Sequence, residues 1–173
     1  MSRFCLVLLV ALCPPVLLAE DKKEPPFVSK EGKFQVALAG KPIEKVRKVK
    51  IGDREQDLHV FSVEQKGVAH VVTYLDYPKG TIGEDKEKFL AGVVARNVGQ
   101  LKGKVAAEEK VALGKGKHPG RDVRVDLPDK KQLYRARVFL VGDRVYQIVA
   151  LGPEEAVKGK ETDDFLKSFA VDE

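Results

Sequence analysis

The stretch RDVRVDLPDKKQLYRARVFLVGDRVYQIVAL, Arg121 to Leu151, decides the fold. Three runs in it alternate apolar and polar residues: Arg121 to Leu127, Gln132 to Val141 and Arg144 to Leu151. A period of two marks strands. Pro128-Asp129-Lys130 and Gly142-Asp143 have turn chemistry, so neighbouring strands run antiparallel. The turns also set a register. Val123, Val125 and Leu127 share a face with Tyr134, Ala136, Val138 and Leu140, and Val145, Val149 and Leu151 join them. Gln147 is the polar intruder on that face. A slip of one residue would turn the whole set to the wrong side. On the opposite face Phe139 meets Tyr146, a favourable cross-strand pair. Asp122 there opposes Arg137, and Arg124 lies beside Arg135. These charges read as a solvated ladder of salt bridges, each worth about 0–1 kcal/mol. The sharper alternative is a seat for a carboxylate or phosphate lined by Arg124, Arg135 and Arg137, because guanidinium forks suit planar anions.

Working upstream, the period changes after Pro78. Phe89, Leu90, Val93, Val94, Val98 and Leu101 fall on one helical stripe, which predicts a helix over roughly Glu84 to Leu101. Thr81 with Glu84 resembles a capping box, and Gly103 sits where a C-cap glycine belongs. Before it, Phe34 to Leu38, Ile43 to Ile51, Leu58 to Val63 and Val68 to Tyr77 read as strands. The last two form a hairpin about Lys66-Gly67. Ile43 to Ile51 alternates untidily and is expected near a sheet edge. Val105 to Leu113 is extended and Gly114 to Gly120 reads as a loop. Thr162 is expected to cap a short final helix presenting Phe165, Leu166 and Phe169. The order is four strands, helix, four strands, helix. This is an α+β fold, an antiparallel sheet of about six to eight strands flanked by two main helices.

Arg3, the apolar run Phe4 to Leu18 and the small Ala19 have the layout of a signal peptide, residues 1–19, cleaved near Ala19. Pro14 and Pro15 interrupt the run before the roughly 20 apolar residues that a membrane span needs. Residues 20–26, EDKKEPP, form a charged, flexible linker, and residues 27–173 a single domain. Export to the periplasm or beyond follows. Both cysteines, Cys5 and Cys13, lie in the leader, so the remaining chain has no thiol for disulfide, nucleophile or zinc. The net charge of +5 comes from Lys and Arg spread among acids, without tryptophan. That pattern argues against specific nucleic-acid binding.

The densest basic segment holds Lys45, Arg47, Lys48 and Lys50, with Lys41 and Arg54 at its ends. It reads as an edge-protecting strand, or as contact with an anionic surface such as lipid head groups, polysaccharide or nucleic acid. His59 and His70 lie on the two strands of the first hairpin, opposite Tyr74 and Val63. They are then about 13 Å apart along the sheet, too far to share a metal. His118 is a turn residue before Pro119. Gly114-Lys115-Gly116-Lys117 lacks the spacing of a phosphate loop. Ser29, Ser62 and Ser168 sit in no nucleophile elbow. Glu154-Glu155 and Asp163-Asp164 suit helix starts. No catalytic set and no cofactor are expected.

FVSKEGKFQVALAGKP at the start of the domain resembles the opening of PsbP-like domains. YRARVFLVGDRVYQIVALG, followed by DDFLKSFAV, resembles their final hairpin and terminal helix. The likeness runs over about Phe27 to Val171 and extends to exported bacterial proteins of unknown function. It implies the sandwich of the photosystem II extrinsic subunit and of Mog-type proteins, which act by binding partners. The metal-associated histidines and acids of the photosynthetic members have no recognisable counterpart here. The resulting expectation is an exported, monomeric, non-enzymatic domain that binds a protein or cell-envelope component. A polyanion-binding module working through Lys45 to Lys50 is the second reading, and a cryptic enzyme the third.

Overall fold

A computed structural model describes residues 25–172. The leader reading and most of the linker fall outside the described residues. Strands β1 (Phe27–Ser29), β2 (Phe34–Val36), β3 (Ile43–Ile51), β4 (Arg54–Gln65) and β5 (Val68–Asp76) precede helix α1 (Lys86–Leu101). Then come β6 (Lys104–Leu113), β7 (His118–Leu127), β8 (Gln132–Val141), β9 (Arg144–Pro153), α2 (Glu154–Val157), α3 (Lys160–Ser168) and β10 (Ala170–Val171). Seven strands form one antiparallel sheet in the order β3-β4-β5-β9-β8-β7-β6, and β1-β2-β10 form a second, small sheet. The α+β class and the flanked antiparallel sheet are as the sequence predicts.

Across β7, β8 and β9 the register follows the alternation residue by residue. Val123 pairs with Ala136, Val125 with Tyr134, Ala136 with Val149, and Phe139 with Tyr146. In the first hairpin His59 pairs with Tyr74 and Val63 with His70. The basic strand β3 is an edge. The α1 stripe packs on β7 and β8, with Leu90, Val93 and Val94 buried against Val123, Val125, Tyr134 and Ala136. Gln147, the intruder on that face, accepts a hydrogen bond from Asn97 Nδ2 of α1 at 2.8 Å. A buried polar group is tolerated when it is paired in this way.

Several local expectations are corrected. Asp85, not Thr81, caps α1: its carboxylate accepts from Lys88 N at 2.8 Å. Thr81 is held away by its own turn, with its N–H donating to Pro78 O. The left-handed C-cap residue is Lys102. Gly103 serves a different need, because a Cβ there would meet Val125 Cγ1 and stand 2.6 Å from Leu127 Cδ2. Its missing side chain lets the turn after the helix press on β7. The expected loop Gly114 to Gly120 closes within Gly114–Lys117, and β7 starts at His118. Thr162 does not cap the last helix. That helix starts at Lys160, and Thr162 is buried within it.

The larger correction concerns the second sheet face. Over β4, β5, β9 and the end of β8 it is a core, while the expected Asp122–Arg137 pair stands half-buried beside it. Phe61, Val72, Tyr74, Phe139, Tyr146 and Ile148 are buried there under Phe34, Val36, Phe165, Leu166 and Phe169. The cover comes from both ends of the domain, the small sheet and α3. The Arg144 side chain fastens it by chelating Asp76 at 2.6 and 2.7 Å, donating to Glu31 O at 3.0 Å, and lying 4.5 Å over the Tyr74 ring. Tyr146 Oη donates to Gly32 O at 2.6 Å.

Candidate functional site

Strand alternation sorts the basic segment onto two faces. Lys48 and Lys50 point to the side of the small sheet, where acids answer them. Lys48 Nζ lies 2.6 Å from Asp57, and Lys50 pairs across the ladder with Glu55. Lys45 and Arg47 point to the α1 side, as does Arg54 opposite Ile51. That side of β3 and β4 has no acid until Glu64, at the hairpin end. The four basic residues singled out from the sequence are therefore not one patch.

The α1 side of β3–β4–β5 has a second property. Helix α1 lies over β7 and β8, and among the described residues no element packs to the same extent on β3, β4 and β5 from this side. Ile51 and Leu75 reach the α1 core. Val49, Leu58, Val60 and Val71 reach neither core and are half-exposed. Register brings them together: Leu58 lies between Arg47 and Leu75, Val60 between Lys45 and Thr73, and Val71 beside Val149. The result is an apolar strip bordered by Lys45, Arg47 and Arg54. Ile43, on this side of the same edge strand, is exposed as well, and Val46 is exposed on the other side.

The three arginines of the other predicted seat do not converge on an open site. Arg137 Nε donates to Asp122 Oδ2 at 2.8 Å, and Arg135 Nη1 lies 2.7 Å from Asp163 Oδ1. Arg135 also donates to Val157 O at 3.3 Å. Its hydrogen bond holds the Asp163 carboxyl below the usual range. Arg124 is exposed. Asp163 comes from α3, and no local pattern in the sequence connects it to β8.

A third feature had no signal in the sequence. An open cleft of about 760 Å³ lies between residues 37–40, the end of the β4–β5 hairpin and α3. His70 and Gln65 line its wall. They are diagonal neighbours on one face of the hairpin, since His70 pairs with Val63 and Val68 with Gln65. His70 is only 5% exposed, and its ring stands edge-on to Phe165 at 4.7 Å. His70 Nε2 and Gln65 Oε1 are both buried without a hydrogen-bond partner. Burial holds the His70 imidazole below its ordinary pKa, with Glu161 pulling the other way. Ser168 shares the cleft, but its hydroxyl is committed elsewhere. It donates to Phe165 O at 2.7 Å and accepts from Ala37 N at 2.8 Å. A serine held this way makes no activated pair with His70. Among the described residues no three His, Cys, Asp or Glu side chains gather as a metal site. No helix of the described residues is long and apolar enough to cross a membrane.

This architecture has a counterpart among solved structures. The solution structure of cyanobacterial PsbP from Synechocystis sp. PCC 6803 superposes with a TM-score of 0.53 at 14% identity, covering 86% of this chain and 92% of that one. The fold is PsbP-like. A protein of unknown function from Pseudomonas aeruginosa also aligns, at TM-score 0.41 and 10% identity, over 68% of this chain and 90% of that one. No family model matches the sequence, and no curated protein does. At such identities a PsbP-like fold specifies the frame, while the functional surface has to be read from this chain's own residues.

Proposed function

We propose that this chain is an exported, non-catalytic domain that docks a partner protein of the cell envelope on the open half of its α1-side sheet face. The observation that carries the reading is the strip Val49, Leu58, Val60 and Val71, half-exposed beside Lys45, Arg47 and Arg54. An uncovered apolar sheet surface costs solvation, and burying it is the main source of association energy. The cationic border selects a segment whose apolar side chains are flanked by carboxylates, and it speeds encounter with such a partner. Export rests on the leader read from residues 1–19 and is checked by the N-terminal residue of the protein recovered from cells. The non-catalytic reading rests on the committed Ser168 hydroxyl and on arginines already held by Asp122 and Asp163.

The second reading, a polyanion held by the β3 cations, needs charge but no apolar contact. Two double charge reversals separate the readings. Lys45→Glu/Arg47→Glu should abolish capture of a defined acidic-apolar peptide selected on the domain, while Lys48→Glu/Lys50→Glu should leave it within about twofold, and Leu58→Asp should behave like the first pair. Equal loss in both double variants, with salt-dependent retention on heparin or anionic vesicles, would replace docking by polyanion binding. Binding unchanged by Lys45→Glu/Arg47→Glu and by Leu58→Asp would remove the docking face altogether. Sedimentation of the free domain should give a monomer.

A further inference from the structure

We propose that the cleft between α3 and the β4–β5 hairpin is a binding site for a primary ammonium group carried on an apolar stem. It is separate from the docking face, because His70 and Gln65 lie on the opposite side of the sheet. The first ground is the pair of orphaned polar atoms. A buried donor or acceptor left unmade costs stability, so a ligand donor that reached both atoms would recover that cost. The second is charge. Glu161 and Asp164 of α3 line the cleft beside Lys167. Lys66 lies 3.2 Å from Glu161 and Lys160 lies 3.9 Å from Asp164, but both pairs are exposed, so an entering cation can displace them. The third is the apolar lining, with Leu38 and Phe165 beside the polar wall.

These grounds select among cations. A metal ion wants three or more ligating side chains, and no such group is present among the described residues. An ammonium carries three donors and no acceptor, which suits a neutral imidazole lone pair, an amide oxygen and a carboxylate. A His70 ring kept uncharged by burial is able to accept. The stem can lie along Leu38 and Phe165, as aliphatic chains of charged residues commonly do. The ammonium could arrive on a free aliphatic amine or on a lysine side chain of a polypeptide.

The test is a titration of the whole domain with n-pentylammonium chloride, and separately with Nα-acetyl-lysine N-methylamide, followed by NMR of the His70 ring and the Gln65 side-chain amide. Saturable shifts at both groups are expected, absent with n-pentanol and with sodium pentanoate. His70→Leu and Gln65→Leu should each weaken binding by at least about tenfold, equivalent to about 1.4 kcal/mol. Should His70→Leu fail to fold, Glu161→Gln, at an exposed position, should still weaken binding severalfold. Shifts with the amine alone assign the site to a free amine, and shifts with the blocked lysine assign it to a polypeptide. Overturning results are no shift with either ammonium, equal binding of pentanol or pentanoate, or affinity unchanged in both Gln65→Leu and Glu161→Gln.

Discussion

Truncating Phe34 to alanine tests whether the second sheet face is a true core. Phe34 is fully buried in β2. Its ring lies 5.4 Å from Phe61, 5.6 Å from Phe169, 6.1 Å from Phe27 and Tyr146, and 6.4 Å from Tyr74. These neighbours sit on β4, β1, β9, β5 and the residue after α3, so no single shift of an element can fill the space left. Buried Phe→Ala changes cost about 3–5 kcal/mol, and limited collapse places this one in the upper half, at about 4 kcal/mol. That is a large share of the about 5–15 kcal/mol that holds a domain together. With a urea slope of about 2 kcal/mol per molar, the midpoint should fall by about 2 M. Urea denaturation followed by far-UV circular dichroism and tyrosine fluorescence measures it, since the chain has no tryptophan. Val28→Ala in β1 is the control: that side chain is 52% exposed and should cost no more than about 0.5 kcal/mol. A Phe34→Ala midpoint shift below about 0.5 M, or one equal to the control, would refute the claim that the small sheet completes the core.

Three further outcomes are expected. Arg144→Ala should cost about 2 kcal/mol in thermal unfolding, because it removes the Asp76 chelate, the bond to Glu31 O and the contact with Tyr74, and Arg144→Lys should recover only part of this. Gly120→Ala should cost about 1–3 kcal/mol by overpacking, since its Cβ would meet the Phe139 ring and stand 2.7 Å from Val138 O, and a neutral result in urea would contradict that close approach. His70 has a folded-state pKa below its unfolded value, so its contribution to stability is complete above about pH 6.5 and is lost as pH falls from there through the folded-state pKa. Urea midpoints between about pH 8 and about pH 5 should therefore drop more steeply for the parent than for His70→Gln, and parallel profiles would sink that assignment.

The large sheet was legible because its rules are local. Alternation over Arg121 to Leu151 and two short turns specify which residues oppose one another, and the observed pairs, down to Asp122 with Arg137, match. Helix α1 was legible for the same reason, from a stripe of six apolar residues with one period. Its ends were less so, because Asp85 and Thr81 are both competent caps and the choice depends on how the chain turns after Pro78. The charge pattern of β3 was visible as composition, while the split between Lys45/Arg47 and Lys48/Lys50 needed the strand's neighbours on each face. Gln147 stands out in the alternation as a polar residue on an apolar face, and its partner Asn97 follows only from the docking of the helix.

What lay beyond the sequence is whatever depends on chain segments far apart. Ala37 N and Ser168 Oγ meet across 131 positions, and the cleft is walled by residues 37–40, the β4–β5 hairpin and α3. No short-range period reports such a meeting. The amino-acid order dictated the strands, their partners along each hairpin and the helix stripe, since backbone sterics and side-chain period act over a few residues. The three-dimensional packing decided which faces are closed, which arginines are already held and where His70 is left without a partner, since those follow from burial between elements whose contact is paid for only when the whole chain has folded.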